Sequence, residues 1–69
     1  MNYYICMDSG GTTTNTYALD EEGNILYHVE CGCGSPAVDY NLAIHNIYES
    51  IDKVYNHMQK IGTLLFIEL

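Results

Sequence analysis

An acidic residue followed by glycines and threonines is the part of this sequence with the clearest chemical potential. Asp8 ends an apolar run, Gly10 and Gly11 come shortly after it, and residues 12–14 are all threonine. A carboxylate can hold Mg²⁺ through water, and glycines let a ligand approach the backbone. Consecutive turn amides form an anion-binding nest, and hydroxyls donate to phosphate oxygens. Because the acid alone would repel phosphate, the set indicates a metal-bridged phosphate.

The same glycines also have a purely structural interpretation. Gly-Gly between two strand-like runs is typical of a two-residue hairpin turn, in which glycine takes positive φ. Spacing alone supports the two interpretations about equally. The P-loop and dinucleotide patterns both fail, because no lysine follows the glycines and the turn leads into a strand.

Three strand-like segments surround this turn. Residues 3–7 are continuously apolar, which is typical of a strand covered on both faces. Residues 15–19 are rich in Thr and Tyr, and residues 25–30 alternate after a polar turn at 20–24. One face of the third strand is predicted to carry Ile25, Tyr27 and Val29. These patterns predict an antiparallel meander.

Beyond the third strand, the hydrophobic period changes to three and four, which predicts a helix over residues 39–59. Its predicted apolar stripe is Ile44, Ile47, Tyr48, Ile51, Val54, Tyr55 and Met58. Its predicted polar side includes His45, Asn46, Glu49, Ser50, Asp52, Lys53, Asn56 and His57. Ser35 or Asp39 is expected to cap the start, with Pro36 in the first turn, and Gly62 to follow the end.

Residues 63–69 form a final, mostly buried strand in the predicted order β-β-β-α-β. A strand after a helix usually lies parallel to a neighbour, so the sheet is expected to be mixed. One helix covers only one face, whereas residues 3–7 and 64–67 require cover on both. We therefore expect residues 1–69 to be one incomplete α/β domain, whose second layer comes from another copy of the chain or from further sequence.

The charge balance excludes several classes of partner. Nine acids, two lysines and no arginine give a net charge of −7. Neither a nucleic-acid-binding face nor a polybasic membrane patch can be built from these residues. The beginning of the chain lacks a positive region, and its apolar run is too short for a signal peptide or a membrane span. We expect a cytoplasmic location, with no nucleic-acid or membrane partner.

The cysteines and tyrosines have structural interpretations. An odd number of cysteines without a secretory signal argues against a disulfide framework. Cys6 is expected to be a small buried hydrophobe. Cys31 and Cys33 are expected to be loop cysteines, because the second half of a thiolate metal site is missing. Tyr48 and Tyr55 are expected in the core.

Residues 3–51 resemble the opening of the actin/hexokinase/Hsp70 ATPase superfamily, and more narrowly the BadF/BadG/BcrA/BcrD group, which includes N-acetylglucosamine kinases. Such proteins begin with a strand, an acid, a Gly-Gly-Thr turn, a second strand, a D-x-x-G turn, a third strand, and a glycine-rich loop that leads into a helix. This chain has the same order, with Asp8, Gly10 and Asp20 at the marker positions. The resemblance implies the N-terminal segment of a ribonuclease H-like (actin-like ATPase) domain.

The resemblance also implies roles for individual residues. Asp8 would place Mg²⁺ through water. The residues implied to contact nucleotide phosphates are Gly10, Gly11, Thr12, Thr13 and Thr14. Gly34 and Ser35 would lie in the loop beside the acceptor. The implied cofactors are ATP and Mg²⁺, and the implied partners are a nucleotide and a small-molecule acceptor in the parent protein.

The implied parent activity is ATP-dependent phosphorylation of a small molecule, with an amino sugar such as N-acetylglucosamine as acceptor. Sugar kinases of the group often carry an asparagine in the acceptor loop, and residues 35–38 depart from this pattern. The catalytic base, the second phosphate motif and the adenosine motif lie downstream in the family. Since phosphoryl transfer depends on positioning between two lobes, we expect this chain to be inactive alone, without a catalytic residue of its own.

Two alternative functions agree with the same residues. The same group contains ATPase activators of 2-hydroxyacyl-CoA dehydratase or benzoyl-CoA reductase, which carry an iron–sulfur cluster between subunits. The chain can also be a non-catalytic, self-associating module whose Gly-Gly turn is an ordinary hairpin. Homo-oligomerisation of the fragment is expected in either case, because the predicted sheet lacks a second layer.

Overall fold

The fold consists of a small sheet with one long helix on it. A computed structural model describes residues 2–60 and the backbone of residues 64 and 65. The elements are β1 (Asn2–Ser9), β2 (Thr14–Leu19), β3 (Ile25–Cys31), α1 (Tyr40–Lys60) and β4 (Leu64–Leu65). The predicted order β-β-β-α-β is confirmed. The rest of the predicted strand over residues 63–69, and the predicted helix stop at Gly62, lie outside the described residues.

The sheet is mixed, as predicted, with the strand order β3-β2-β1-β4. β1, β2 and β3 form an antiparallel meander. β4 follows the helix and pairs parallel to β1, with Asn2 opposite Leu64. β1 is therefore a central strand with partners on both sides, which agrees with its continuous apolar sequence.

The core lies between α1 and one face of the meander. Its fully buried members are Tyr3, Ala18, Val54 and Met58. The Tyr3 hydroxyl has no hydrogen-bond partner among the described residues. Burial raises the pKa of this hydroxyl, and the neighbouring Tyr55 raises it further. Within the same part of the chain, no helix combines the length and apolar character needed to cross a bilayer.

The helix face that contacts the sheet is rotated away from the predicted apolar stripe. Its buried residues are Ala43, Asn46, Ser50, Val54 and Met58. Tyr48 is 69% exposed and Tyr55 is 38% exposed, so the prediction that they are core residues is wrong. Asn46 and Ser50, predicted on the polar side, are buried because each has a hydrogen-bond partner beneath the helix. The face that α1 buries is therefore partly polar, and its polar members have hydrogen-bond partners in β2 and in the loop after β3.

The opposite face of the sheet carries no cover among the described residues. Cys6 lies on this face and is exposed, so its predicted burial is wrong. Across the strands, Cys6 is opposite Tyr17, and Tyr17 is opposite His28. The rings of Tyr17 and His28 stack, with their centroids 4.5 Å apart. Towards the start of β1, Tyr4 pairs with Leu19. As expected, a single helix leaves one face of the sheet open.

A β-bulge interrupts the predicted alternation of β3. Tyr27 pairs with Ala18 but Ile25 pairs with Leu19, so Leu26 is an extra residue in the ladder. As a result, Leu26 packs against the core while Ile25 is 63% exposed. The prediction that Ile25 shares a face with Tyr27 is wrong, because one inserted residue reverses the side-chain direction.

The turn between β2 and β3 is organised by the carboxylate of Asp20. Its Oδ1 accepts hydrogen bonds from the amides of Glu22 and Asn24, at 2.9 and 2.8 Å, and its Oδ2 accepts one from Asn24 Nδ2 at 3.0 Å. Gly23 supplies the positive φ of 86° that this turn requires. The hydrogen bonds from the backbone and side chain of Asn24, and then from Glu22 and Gly23, hold the pKa of Asp20 below its usual value of 3.8.

This lowered pKa predicts a loss of stability in acid. A carboxyl with a lower pKa in the folded state stabilises the fold above its unfolded-state pKa, and the contribution disappears as the pH falls through the folded-state pKa. We expect the urea midpoint to fall as the pH drops below 3.8, and Asp20→Asn to reduce that dependence. Glu22→Gln is the control, because it removes one charge from the same turn. An equal effect of both variants on the acid dependence contradicts the prediction.

Candidate functional site

The predicted phosphate-binding segment is the turn between β1 and β2, residues 10–13, which we call the phosphate turn. Ser9 and Thr14 are the last paired residues of the two strands. The amide of Gly10 donates to the carbonyl of Thr13 at 2.8 Å. Among the described residues, positive φ occurs at Gly23 and not in this turn. The two-residue hairpin with glycines at positive φ is therefore not the geometry of this segment.

The packing of the chain does not require glycine at either position of the phosphate turn. A Cβ on Gly10 would lie 3.7 Å from the carbonyl oxygen of Thr13, and one on Gly11 would lie 3.6 Å from Val38 Cγ2. Both are ordinary contacts. With no side chain on Gly11, and with Thr12 exposed, the backbone of the turn is open to a ligand from solvent.

The hydrogen bonds of the turn leave a run of backbone donors available. Within residues 2–60, no hydrogen bond uses the amides of Gly11, Thr12 or Thr13. Thr12 is exposed and Thr13 is half-buried. Three successive amides with neighbouring hydroxyls are the donors that an anion-binding nest needs. The amide of Gly10, in contrast, is already used within the turn.

The structure places the predicted acceptor loop directly on the phosphate turn. We call residues 32–35 the docked loop. The amide of Gly34 donates to the carbonyl of Gly10 at 2.8 Å. Gly34 is buried, and a Cβ on it would meet Thr14 Oγ1 and lie 2.8 Å from Ser9 Cβ. Here glycine is required by close packing, unlike in the turn itself.

Thr14 has a structural role in this arrangement. The residue is fully buried, and its hydroxyl donates to the carbonyl of Gly32 at 2.9 Å. It therefore fastens the docked loop to β2. Its hydroxyl faces the interior, whereas the side chain of Thr12 faces solvent. Of the five residues predicted to contact phosphate, Thr14 thus supports the site from inside, and the other four form the turn itself.

Asp8 lies on the other side of the turn from the docked loop. It belongs to β1 rather than following it, pairs with Asn15, and is exposed. Because side chains alternate along a strand, Asp8 points to the open face of the sheet, while Ser9 points to the docked loop. Asn15 accepts a hydrogen bond from His28 Nε2 at 2.8 Å and pairs with Glu30 on its other side. The end of the open face next to the turn is therefore polar.

The position of Asp8 fits a water-mediated magnesium ion. Mg²⁺ in proteins is commonly held by one or two carboxylates together with water and substrate phosphate oxygens. An exposed carboxylate two residues before the phosphate turn meets this description. An ion here would neutralise part of the repulsion between the acidic chain and a polyphosphate.

The segment that leads into α1 contains two further contacts. The carbonyl of Ser35 accepts hydrogen bonds from the amides of Val38 and Asp39, so Pro36 lies in a separate turn and not in the first turn of the helix as predicted. Asp39 caps the helix, with Oδ1 accepting from the amide of Leu42 at 3.1 Å. This confirms Asp39, one of the two predicted caps.

Asn46 is a site-supporting residue that the sequence did not identify. Its Nδ2 donates to the carbonyl of Cys33 at 2.8 Å, which joins α1 to the docked loop. The periodicity placed Asn46 on the polar side of the helix, and an asparagine there carries no signal of a buried contact. Only the three-dimensional packing shows this role.

Two other regions of the fold carry groups of the kinds that bind ligands. Cys31 and Cys33 are half-buried free thiols, and residues 2–60 contain no group of three or more histidine, cysteine or acidic side chains placed to hold a metal. A depression of about 340 Å³ lies at the other end of the sheet. It is lined by Asn2, Asp20, Glu21 and Glu22. Its three acids would repel phosphate.

The candidate site therefore combines the phosphate turn, the exposed Asp8 and the docked loop that rests against both strands at their ends. No protein-family model, curated protein or solved structure matches this chain.

Proposed function

We propose that the phosphate turn binds the phosphates of a Mg²⁺-bound nucleotide, and that the chain is the first phosphate-binding segment of an ATP-dependent small-molecule kinase. The observation that carries this proposal is the combination of three amides without a hydrogen bond within residues 2–60, at Gly11, Thr12 and Thr13, with an exposed carboxylate at Asp8. Gly10 and Gly11 also support the proposal. The fold has room for a Cβ at both positions, so the benefit of glycine there is that an external ligand can approach the backbone.

The net charge determines how such a ligand must bind. A chain with a net charge of −7 repels a polyphosphate, and the turn has no lysine or arginine beside it. Backbone amides donate hydrogen bonds without adding a full charge. The divalent ion held near Asp8 supplies the missing positive charge, and binding is therefore expected to require magnesium.

The position of the docked loop supports a transfer reaction over simple nucleotide binding. Phosphoryl transfer depends mainly on holding the acceptor and the terminal phosphate in line. The bond between Gly34 and Gly10 fixes the proposed acceptor loop to the proposed phosphate turn. The acceptor in this proposal is a small hydroxyl compound such as an amino sugar.

The topology is compatible with this assignment. Three antiparallel strands followed by a helix and a strand parallel to the first form the mixed sheet expected from the order of the elements. A ribonuclease H-like ATPase segment, in the BadF/BadG/BcrA/BcrD group, is the proposed parent fold. The open face of the sheet is compatible with a further layer in such a domain.

Titration with Mg·ADP, followed by the backbone amide signals in NMR, tests the proposal. We expect saturable shifts centred on Gly11, Thr12 and Thr13, with a dissociation constant of about 1 mM, because a single turn provides only part of a site. The absence of shifts at these amides at about 10 mM ligand would contradict the proposal. In that case the turn is an ordinary connection between strands.

Two variants separate the specific carboxylate from the overall charge. Asp8→Asn and Glu22→Gln each reduce the negative charge by one, but Glu22 lies in the turn at the other end of the sheet. We expect Asp8→Asn to remove the magnesium dependence of ADP binding, and Glu22→Gln to retain it. Equal behaviour of the two variants would show that Asp8 has no specific part in binding.

A further inference from the structure

The docked loop is held by three hydrogen bonds at successive residues. Thr14 Oγ1 donates to the carbonyl of Gly32, Asn46 Nδ2 donates to the carbonyl of Cys33, and the amide of Gly34 donates to the carbonyl of Gly10. These bonds come from β2, the helix and the phosphate turn respectively. The loop therefore connects all three parts of the fold at one place.

Asn46 is the helix contribution to this connection. It is 8% exposed and lies one turn before the buried Ser50 on the same face of α1. A Cβ on Gly32 would lie 3.2 Å from Asn46 Nδ2, so the amide is packed against the loop backbone as well as bonded to it. Buried side-chain donors are in most cases hydrogen-bonded, and the partner of this one is the carbonyl of Cys33.

We propose that Asn46 is a positioning residue of the nucleotide site, which locks the docked loop onto the phosphate turn and so makes the acceptor side and the phosphate side one rigid unit with α1. The inference rests on the proposed function for its effect on binding. Asn46 does not contact the ligand. It acts through Cys33 and Gly34, whose amide in turn fixes the carbonyl of Gly10.

Asn46→Leu tests the proposal, since leucine keeps the branched shape of the side chain but has no donor. We expect the amide of Gly34 to exchange with solvent about fivefold to tenfold faster, relative to the amides inside α1. The reason is that the hydrogen bond from Asn46 to the carbonyl of Cys33, in the same peptide group, is lost. We also expect the dissociation constant for Mg·ADP to rise about threefold, since a looser Gly10 carbonyl widens the range of turn conformations. Unchanged exchange at Gly34 overturns the proposal.

Ser50→Ala is the matched control. Ser50 is also polar and buried on the same helix face, but its partner is Thr16 in β2 and not the docked loop. Here we expect Gly34 exchange to follow the helix amides, and ADP affinity to stay unchanged once it is corrected for the folded fraction of the variant. Faster exchange in Asn46→Leu with an unaltered dissociation constant would show a purely structural role and overturn the positioning role.

A measurement on the unmodified protein covers the case in which Asn46→Leu does not fold. Hydrogen exchange in increasing urea should show Gly34 opening together with the α1 amides, with the same urea dependence. Opening of Gly34 alone, with little urea dependence, overturns the proposal. The unmodified protein also separates the two hypotheses, because absent ADP shifts there refute the proposed function while the exchange result still reports on the lock.

Discussion

Replacing Gly34 by alanine is expected to reduce the free energy of unfolding by about 3 kcal/mol, the upper part of the range for an overpacked core. The added Cβ would meet Thr14 Oγ1 and lie 2.8 Å from Ser9 Cβ. Both neighbours belong to strand ends that are fixed by their ladder, so neither can move without breaking pairing. Since small domains have only a few kcal/mol of stability, a large unfolded fraction should follow.

Urea unfolding of Gly34→Ala, followed by circular dichroism, gives the measurement. Gly11→Ala is the control, because its Cβ would have an ordinary 3.6 Å contact with Val38. Both substitutions reduce the backbone freedom of the unfolded chain in the same way, so the difference between them reports the packing. Stability of Gly34→Ala equal to that of Gly11→Ala would contradict the docked geometry.

A second substitution shows whether Thr14 is the obstacle. Thr14→Ala removes the Oγ1 that the new Cβ would meet, but also the hydrogen bond to Gly32. The double variant is therefore expected to lose less stability than the two single variants together, by about 1 kcal/mol or more. Additive losses would show that the two residues are not in contact.

Ser50→Ala is expected to reduce the free energy of unfolding by about 1–3 kcal/mol, although only one oxygen is removed. Ser50 Oγ donates to the carbonyl of Ile47 at 2.9 Å, so the proton between the two hydroxyls comes from Thr16. Both residues are fully buried. Without Ser50, the hydroxyl of Thr16 is buried beneath the helix with no acceptor. The free energy needed to remove this donor from water is then not offset by a hydrogen bond.

The double variant Thr16→Val and Ser50→Ala checks this explanation. With both hydroxyls removed, no buried donor is left unpaired, and we expect stability within about 1 kcal/mol of the unmodified protein. Chemical denaturation of the two single variants and the double variant completes the cycle. A double variant less stable than Ser50→Ala would contradict this explanation. It would show that the two hydroxyls stabilise the fold by more than giving each other a hydrogen-bond partner.

The order and type of the elements were predictable because hydrophobic periodicity records which segments are strands and which is the helix. Details that depend on contacts between elements were not predictable from this periodicity. The helix rotation is one example, since Asn46 and Ser50 look like surface residues until their partners in β2 and the docked loop are known. The bulge at Leu26 is another, because no local pattern marks an inserted residue.

The same limit applies to the candidate site. The sequence identified Asp8, the glycines and the threonines, and these do lie together at one end of the sheet. It did not separate the buried Thr14 from the exposed Thr12, because no local pattern in three successive threonines marks where the turn ends and β2 begins. The contact between Gly34 and Gly10 joins positions far apart in the chain and has no local signature.

Polarity changes along the uncovered side of the sheet, from the Asp8–Asn15–Glu30 row beside the phosphate turn to the Tyr4–Leu19 pair at the distant end. The polar row and the apolar pair are thus separated by four residues along β1, or roughly 13 Å. Anything that shields the tyrosine end from water can do so without blocking the approach of a charged solute to the aspartate end. A second layer packed on the tyrosine end would consequently leave the approach of the proposed ligand open.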